Sequence, residues 1–91
     1  MNRPAQATLR LFAEEDFRIP ESEDIRAVIA MLDLTADQVA ALVGVRDGRA
    51  VRRWLAPDSS SSHAKITYSA WRLLLLEAGL VQSRRKRKLP R

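Results

Sequence analysis

Between residues 34 and 54 the chain reads LTADQVAALVGVRDGRAVRRW. Thr35-Ala-Asp-Gln38 has the form of a capping box, in which each of the two outer side chains accepts a hydrogen bond from the other residue's backbone amide. Apolar residues at helical spacing follow, and Gly44 can take the left-handed conformation that is common just beyond a helix C-terminus. The pattern predicts a short helix over residues 36–43.

A further short helix is predicted directly after a tight turn. Asp47 can cap this helix, which covers about residues 48–55 and ends before Pro57. Val51 and Trp54 have the spacing of a buried face. Three arginines would point elsewhere: Arg49, Arg52 and Arg53. Two short helices joined by a glycine-containing turn form a helix-turn-helix, in which the first helix braces the second against the major groove of DNA.

One helix is predicted on each side of this pair. Pro20 marks the start of a helix over residues 21–32, whose apolar residues recur at helical spacing. Thr67 can cap a helix over residues 68–78 that ends at Gly79. We therefore expect an all-α fold of four to five helices. A short N-terminal strand is an option at residues 8–12, where Leu9 and Leu11 flank Arg10.

The length of 91 residues fits one small domain. We expect an N-terminal segment over residues 1–19, a helix-turn-helix domain with a C-terminal dimerisation helix over 20–82, and a basic tail over 83–91. Six of the eight residues from 84 to 91 are basic. This tail is interpreted either as an arm that contacts DNA non-specifically or as a solvated end.

The positive charge is concentrated in one part of the chain. Residues 1–33 carry 4 basic and 7 acidic residues, whereas residues 34–91 carry 12 basic and 4 acidic residues. The surplus therefore falls on the part that contains the predicted helix-turn-helix. A local surplus of this kind favours a polyanionic partner.

Several classes of function are excluded by composition. The chain has no cysteine and a single histidine, His63, so it offers neither a thiolate nor a histidine-cluster metal site, and we expect no metal and no cofactor. His63 follows four serines, but no third group orients it, so we expect no catalytic residue and no enzyme.

The longest apolar run, Leu73 to Leu76, is too short for a bilayer. A cytoplasmic protein without a membrane partner is expected.

The stretch from Leu34 to Trp54 resembles the helix-turn-helix repressors of bacteria, phages and plasmids. With the serine-rich loop and the following ITYSAWRLLLLEAGLV at residues 66–81, it is similar to plasmid-borne Kor-type repressors, the KorC type among them. The similarity covers about residues 20–82. It implies a repressor at the bacterial nucleoid that binds a palindromic operator in double-stranded DNA as a homodimer. One spacing departs from the common pattern: Trp54 stands ten residues after Gly44, one more than usual.

Position within this pattern predicts the DNA-contacting residues. Arg49 lies near the start of the base-reading helix, where an arginine can donate two hydrogen bonds to guanine. Of the next two arginines, one would contact a base and the other a phosphate. Residues in or beside the turn would meet the DNA backbone, and polar residues at the preceding helix N-terminus would bind phosphate. The predicted set is Thr35, Gln38, Arg46, Gly48, Arg49, Arg52 and Arg53. The alternative for the arginines is a solvated helix face.

The last helix is apolar on nearly all sides, and such a helix is normally buried. Trp71 belongs to its main apolar stripe, and both tryptophans are interpreted as core residues rather than as base-stacking platforms. A second apolar side predicts a homodimer interface formed by Leu73, Leu76, Leu80 and Val81. The alternative is that the N-terminal segment covers that side.

Two other functions compete with a repressor. An excisionase-like or architectural DNA-binding module would form a two-stranded wing between Trp54 and Ile66, although Ser59 to Ser62 have poor strand character. A protein-interaction module, such as an antitoxin or a scaffold, would use the leucine-rich helix to bind a different protein.

Overall fold

The structure is a computed structural model that describes residues 3–83. It contains four α-helices: α1 (Ser22–Leu32), α2 (Ala36–Val43), α3 (Gly48–Leu55) and α4 (Tyr68–Glu77). A single 3-10 turn at Gln6–Leu9 precedes them. The expected all-α fold is confirmed, and residues 3–83 contain no strand.

The strand considered for residues 8–12 is wrong. The backbone amide and the hydroxyl of Thr8 both donate to the carbonyl of Ala5, at 2.9 and 2.6 Å, which closes a tight turn. A second turn follows, in which the amide of Leu11 donates to the Glu14 carboxylate at 3.1 Å. These local bonds use the backbone groups that an extended strand would need for a partner.

Local capping sets the helix ends. The capping box at Thr35 and Gln38 is present, and Gly44 adopts φ +82° immediately after α2, as predicted. The amide of Arg49 donates to Asp47 at 2.9 Å, so Asp47 caps α3. α1 begins one residue later than predicted because Glu21 is its N-cap, with its amide bonded to Asp24 at 2.9 Å. α4 ends one residue earlier than predicted, at Glu77.

The core lies where α2 meets α3 and where α1 and α4 close over them. α3 and α4 each pack on α1 and α2 but make little direct contact with each other. Both tryptophans are core residues, Trp71 fully buried and Trp54 only 5% exposed. The buried cluster consists of Ile25, Val28, Val39, Ala40, Val51, Trp54, Ile66, Ala70, Trp71, Leu74 and Leu75.

The N-terminal segment is bonded to the helical body. The indole nitrogen of Trp71 donates to the buried carbonyl of Thr8 at 2.7 Å. The amide of Ala5 donates to the carboxylate of Asp24 at 2.8 Å, which ties the segment to the first turn of α1. The segment therefore covers one side of α4 and completes the core there.

The loop between α3 and α4 consists of successive turns. The amide of Ser60 donates to Pro57, and that of His63 donates to Ser60, at 2.8 and 3.1 Å. Asp58 anchors the loop because its carboxylate accepts from both the amide and the hydroxyl of Ser22. The two-stranded wing of the excisionase-like alternative is not formed, because these turns occupy its place.

Candidate nucleic-acid interface

A short turn fixes α3 on α2. The amides of Gly44 and Val45 both donate to the carbonyl of Ala40, at 2.9 and 3.1 Å. Val45 packs against the core, and Val51 on α3 is fully buried. Because these contacts lie on both sides of the turn, α3 is braced over its length rather than held at one end.

α3 has one buried face and one charged face. Gly48, Val51 and Trp54 are buried, at the spacing of three residues that places them on one side of a helix. Three arginines are exposed on the other sides: Arg49, Arg52 and Arg53. The turn adds Arg46, which is also exposed. The structure thus exposes the four predicted arginines on α3 and on the turn before it.

These arginines differ in their partners. Within residues 3–83, the guanidinium groups of Arg46, Arg49 and Arg52 have no hydrogen bond or ion pair, so all their donors are available. The Nε of Arg53 donates to the carbonyl of Ser62 at 3.3 Å, which ties this side chain to the serine-rich loop. Arg53 therefore differs from the other three arginines, because one of its donors is already bonded to the loop.

The capping box of α2 leaves its hydrogen-bond donors free. The amide of Thr35 donates to the Oε1 of Gln38 at 2.9 Å, and the amide of Gln38 donates to the Thr35 hydroxyl oxygen at 3.2 Å. Both bonds use side-chain oxygens as acceptors. The hydroxyl hydrogen and the side-chain amide hydrogens remain able to donate, which is what binding to phosphate requires.

Gly48, which is predicted to meet the DNA backbone, lies at the contact between α2 and α3. It is buried, and its amide donates to the Oδ1 of Asp37 at 2.9 Å. A β-carbon at this position would meet the Asp37 carboxylate, and it would lie 3.0 Å from Nη1 of Arg52 and 3.2 Å from the β-carbon of Ala36. The observed arrangement makes Gly48 the point where the first turns of α2 and α3 approach each other.

Sequence reasoning missed two residues that support α3. Arg26, on α1, donates to the carbonyl of Leu55 at 2.9 Å and so satisfies an open carbonyl at the end of α3. Asp37 holds the other end through Gly48. The partners are separated by 29 and 11 residues. No local pattern marks such pairs.

The predicted dimer residues divide into two groups. Leu73 is 40% exposed and Leu76 is partly exposed, and both point outward from α4. Leu80 and Val81 follow the helix, pack against the core and line one pocket together with Leu9 of the N-terminal segment. The segment thus covers part of the second apolar side, as the alternative proposed, and leaves the Leu73 and Leu76 part uncovered.

The remaining predictions concern His63, metal and membrane binding, and the basic stretch at the C-terminus. The Nδ1 of His63 bonds to the carbonyl of Ala56 at 2.9 Å, and its Nε2 lies 3.5 Å from Asp58, so this histidine belongs to the loop. Residues 3–83 contain no acidic or histidine cluster that could hold a metal ion, and none of their helices could cross a membrane. The basic stretch at 84–91 lies outside the described residues.

Comparison with known proteins identifies the family of this chain. No family model matches the chain, and no solved structure matches it. The chain is 36% identical over 63 residues to the transcriptional repressor protein KorC of Escherichia coli, covering 67% of this chain and 68% of that protein. The chain therefore belongs to the KorC family of transcriptional repressors.

Proposed function

We propose that this repressor acts as a homodimer that binds a palindromic operator in double-stranded DNA, with α3 in the major groove. One observation carries the proposal. Arg46, Arg49 and Arg52 have free guanidinium groups, in the described part of the chain, on a helix and turn that are otherwise fixed by buried contacts. Free donors on a rigid helix suit the base edges of the groove, where geometry decides which base is accepted.

The partners of each arginine suggest its role. Arg49 and Arg52 are assigned to base edges, because each can present two parallel donors to a guanine, a contact worth about 1–3 kcal/mol of discrimination. Arg53, already bonded to the loop, is assigned to a phosphate together with Arg46 in the turn. Contacts of this kind fix the register of the protein on the duplex without reading sequence.

Two further residues are assigned to phosphate and one to packing. The free donors of Thr35 and Gln38 stand at the N-terminus of α2, where the helix dipole also favours an anion. The amide of Gly48 already donates a hydrogen bond to Asp37. We therefore assign Gly48 a packing role, which is to let α2 and α3 approach each other closely.

The homodimer is proposed to form through the outward face of α4. Leu73 and Leu76 supply an apolar surface there, and α4 makes little contact with α3. Two copies joined at α4 would leave both base-reading helices free.

The test begins with selection of bound sequences from a random duplex library. We expect an enriched palindrome, and we expect Arg49→Ala to weaken binding to it at least about 30-fold, because the dimer loses a two-bond contact worth about 1–3 kcal/mol in each of the two half-sites. Arg3→Ala is the matched control, because it removes the same charge from an exposed arginine of the N-terminal segment. Neither change should alter the melting temperature by more than the small amount usual for surface substitutions. Absence of any enriched sequence would refute the proposal.

A further inference from the structure

Two carboxylates accept hydrogen bonds from backbone amides in the first turn of α3. Asp47 accepts the amide of Arg49 and Asp37 accepts the amide of Gly48, both at 2.9 Å. The second bond crosses from α2 to α3. The start of α3 is therefore fastened to α2 by a charge-assisted hydrogen bond, which is stronger than one between neutral groups.

The same carboxylate faces one of the proposed base-reading arginines. Arg52 lies one helical turn beyond Gly48, and its Nη1 is 3.0 Å from the position that a β-carbon on Gly48 would occupy. The Asp37 carboxylate borders that position from the other side. The two groups form no direct ion pair among residues 3–83. Asp37 thus attracts the guanidinium across Gly48 without occupying its hydrogen-bond donors.

We infer that Asp37 is a positioning residue for sequence recognition, which sets the register of α3 on α2 and aims the guanidinium of Arg52 at a base edge. The inference rests on the proposed DNA binding. A fixed guanidinium favours the one base that matches its orientation, whereas a freely rotating one also accepts phosphates. The negative charge at this place also opposes binding to phosphates, on the operator and on other DNA alike. The orientation of Arg52 is what raises the preference for the operator over other DNA.

Two substitutions of Asp37 distinguish its hydrogen bond with Gly48 from the effect of its charge on Arg52. Asp37→Asn keeps an oxygen that accepts the Gly48 amide and removes the charge that orients Arg52. Asp37→Ala removes both. In amide hydrogen exchange we expect Gly48 to remain protected in the asparagine variant and to lose protection in the alanine variant. If the Gly48 amide is equally protected in the alanine variant and in the wild type, the hydrogen bond to Asp37 does not fasten α3 to α2.

The orienting role is tested by the ratio of affinities for the selected palindrome and a scrambled duplex. We expect Asp37→Asn to lower this ratio about tenfold, within the range that one two-bond contact provides, with tighter binding to the scrambled duplex. In an Arg52→Ala background the same change should leave the ratio unaltered, because the oriented group is gone. Glu23→Gln, which removes an exposed carboxylate from α1, is the matched control.

The outcomes separate this inference from the function on which it rests. A wild-type protein that prefers no sequence refutes the proposed function, and the role of Asp37 with it. A wild-type preference that Asp37→Asn retains overturns the role of Asp37 alone. An equal loss of preference with and without Arg52 also overturns it, because Asp37 would then act on the fold and not through Arg52.

Discussion

Replacing Gly48 by alanine tests whether α2 and α3 approach as closely as the structure has them. In most helices this change is stabilising, by up to about 1 kcal/mol, since alanine has the highest helix propensity. Here an added methyl group would meet the Asp37 carboxylate and lie within 3.2 Å of the Ala36 β-carbon. The carboxylate must move away from the methyl group, and this movement weakens its 2.9 Å hydrogen bond with the Gly48 amide.

The magnitude follows from these opposing terms. A hydrogen bond to a charged group contributes about 1.5–3 kcal/mol, and its loss exceeds the gain in helix propensity. We expect the free energy of unfolding of Gly48→Ala to fall by about 0.5–2 kcal/mol. For a domain of this size the melting temperature would then fall by roughly 2–15 °C.

Urea unfolding followed by far-ultraviolet circular dichroism measures the change directly. If the unfolding is two-state, the midpoint should move to lower urea with an unchanged slope. A Gly48→Ala protein as stable as the wild type, or more stable, would refute the close approach of α2 and α3. The control is the same change in an Asp37→Ala background, where the carboxylate is absent and the cost of the methyl group should shrink or reverse.

Two further substitutions test the N-terminal segment and the dimer. Trp71→Phe removes the buried donor to the Thr8 carbonyl and leaves that carbonyl unsatisfied. We expect urea unfolding to show that the free energy of unfolding falls by about 1–3 kcal/mol. An unchanged free energy of unfolding would contradict the anchoring of the N-terminal segment. Leu73→Glu places a charge on the outward face of α4, and sedimentation equilibrium should then give the monomer mass with little change in melting temperature. A variant that sediments as a dimer would exclude this face as the interface.

The central helices could be predicted from sequence because their signals are local. The cap at Thr35 and Gln38 joins residues three apart, and Asp47 caps a residue two positions later. Such contacts join residues within one turn, so the sequence alone predicts the bounds of α2 and α3 that the structure has. The positive φ at Gly44 follows from the same local geometry.

The N-terminal segment could not be predicted in this way. Its 3-10 turn depends on a hydrogen bond from Trp71, 63 residues away, and on Asp24, whose carboxylate is shared between α1 and Ala5. The alternation of Leu9 and Leu11 suggested a strand because the pattern contains no information about these partners. Tertiary contacts decided the conformation where the local preference was weak.

In the candidate interface, too, some features follow from the sequence and others from tertiary contacts. Sequence by itself determined that three arginines leave α3 on sides away from Val51 and Trp54, since helical periodicity fixes the direction of every side chain once the helix is known. Only the tertiary structure decided that Arg53 is bonded to the loop and that Arg52 stays free. It also decided that Gly48 is committed to Asp37. The physical reason is that periodicity specifies which way a side chain points, whereas its partner depends on which distant element packs beside it.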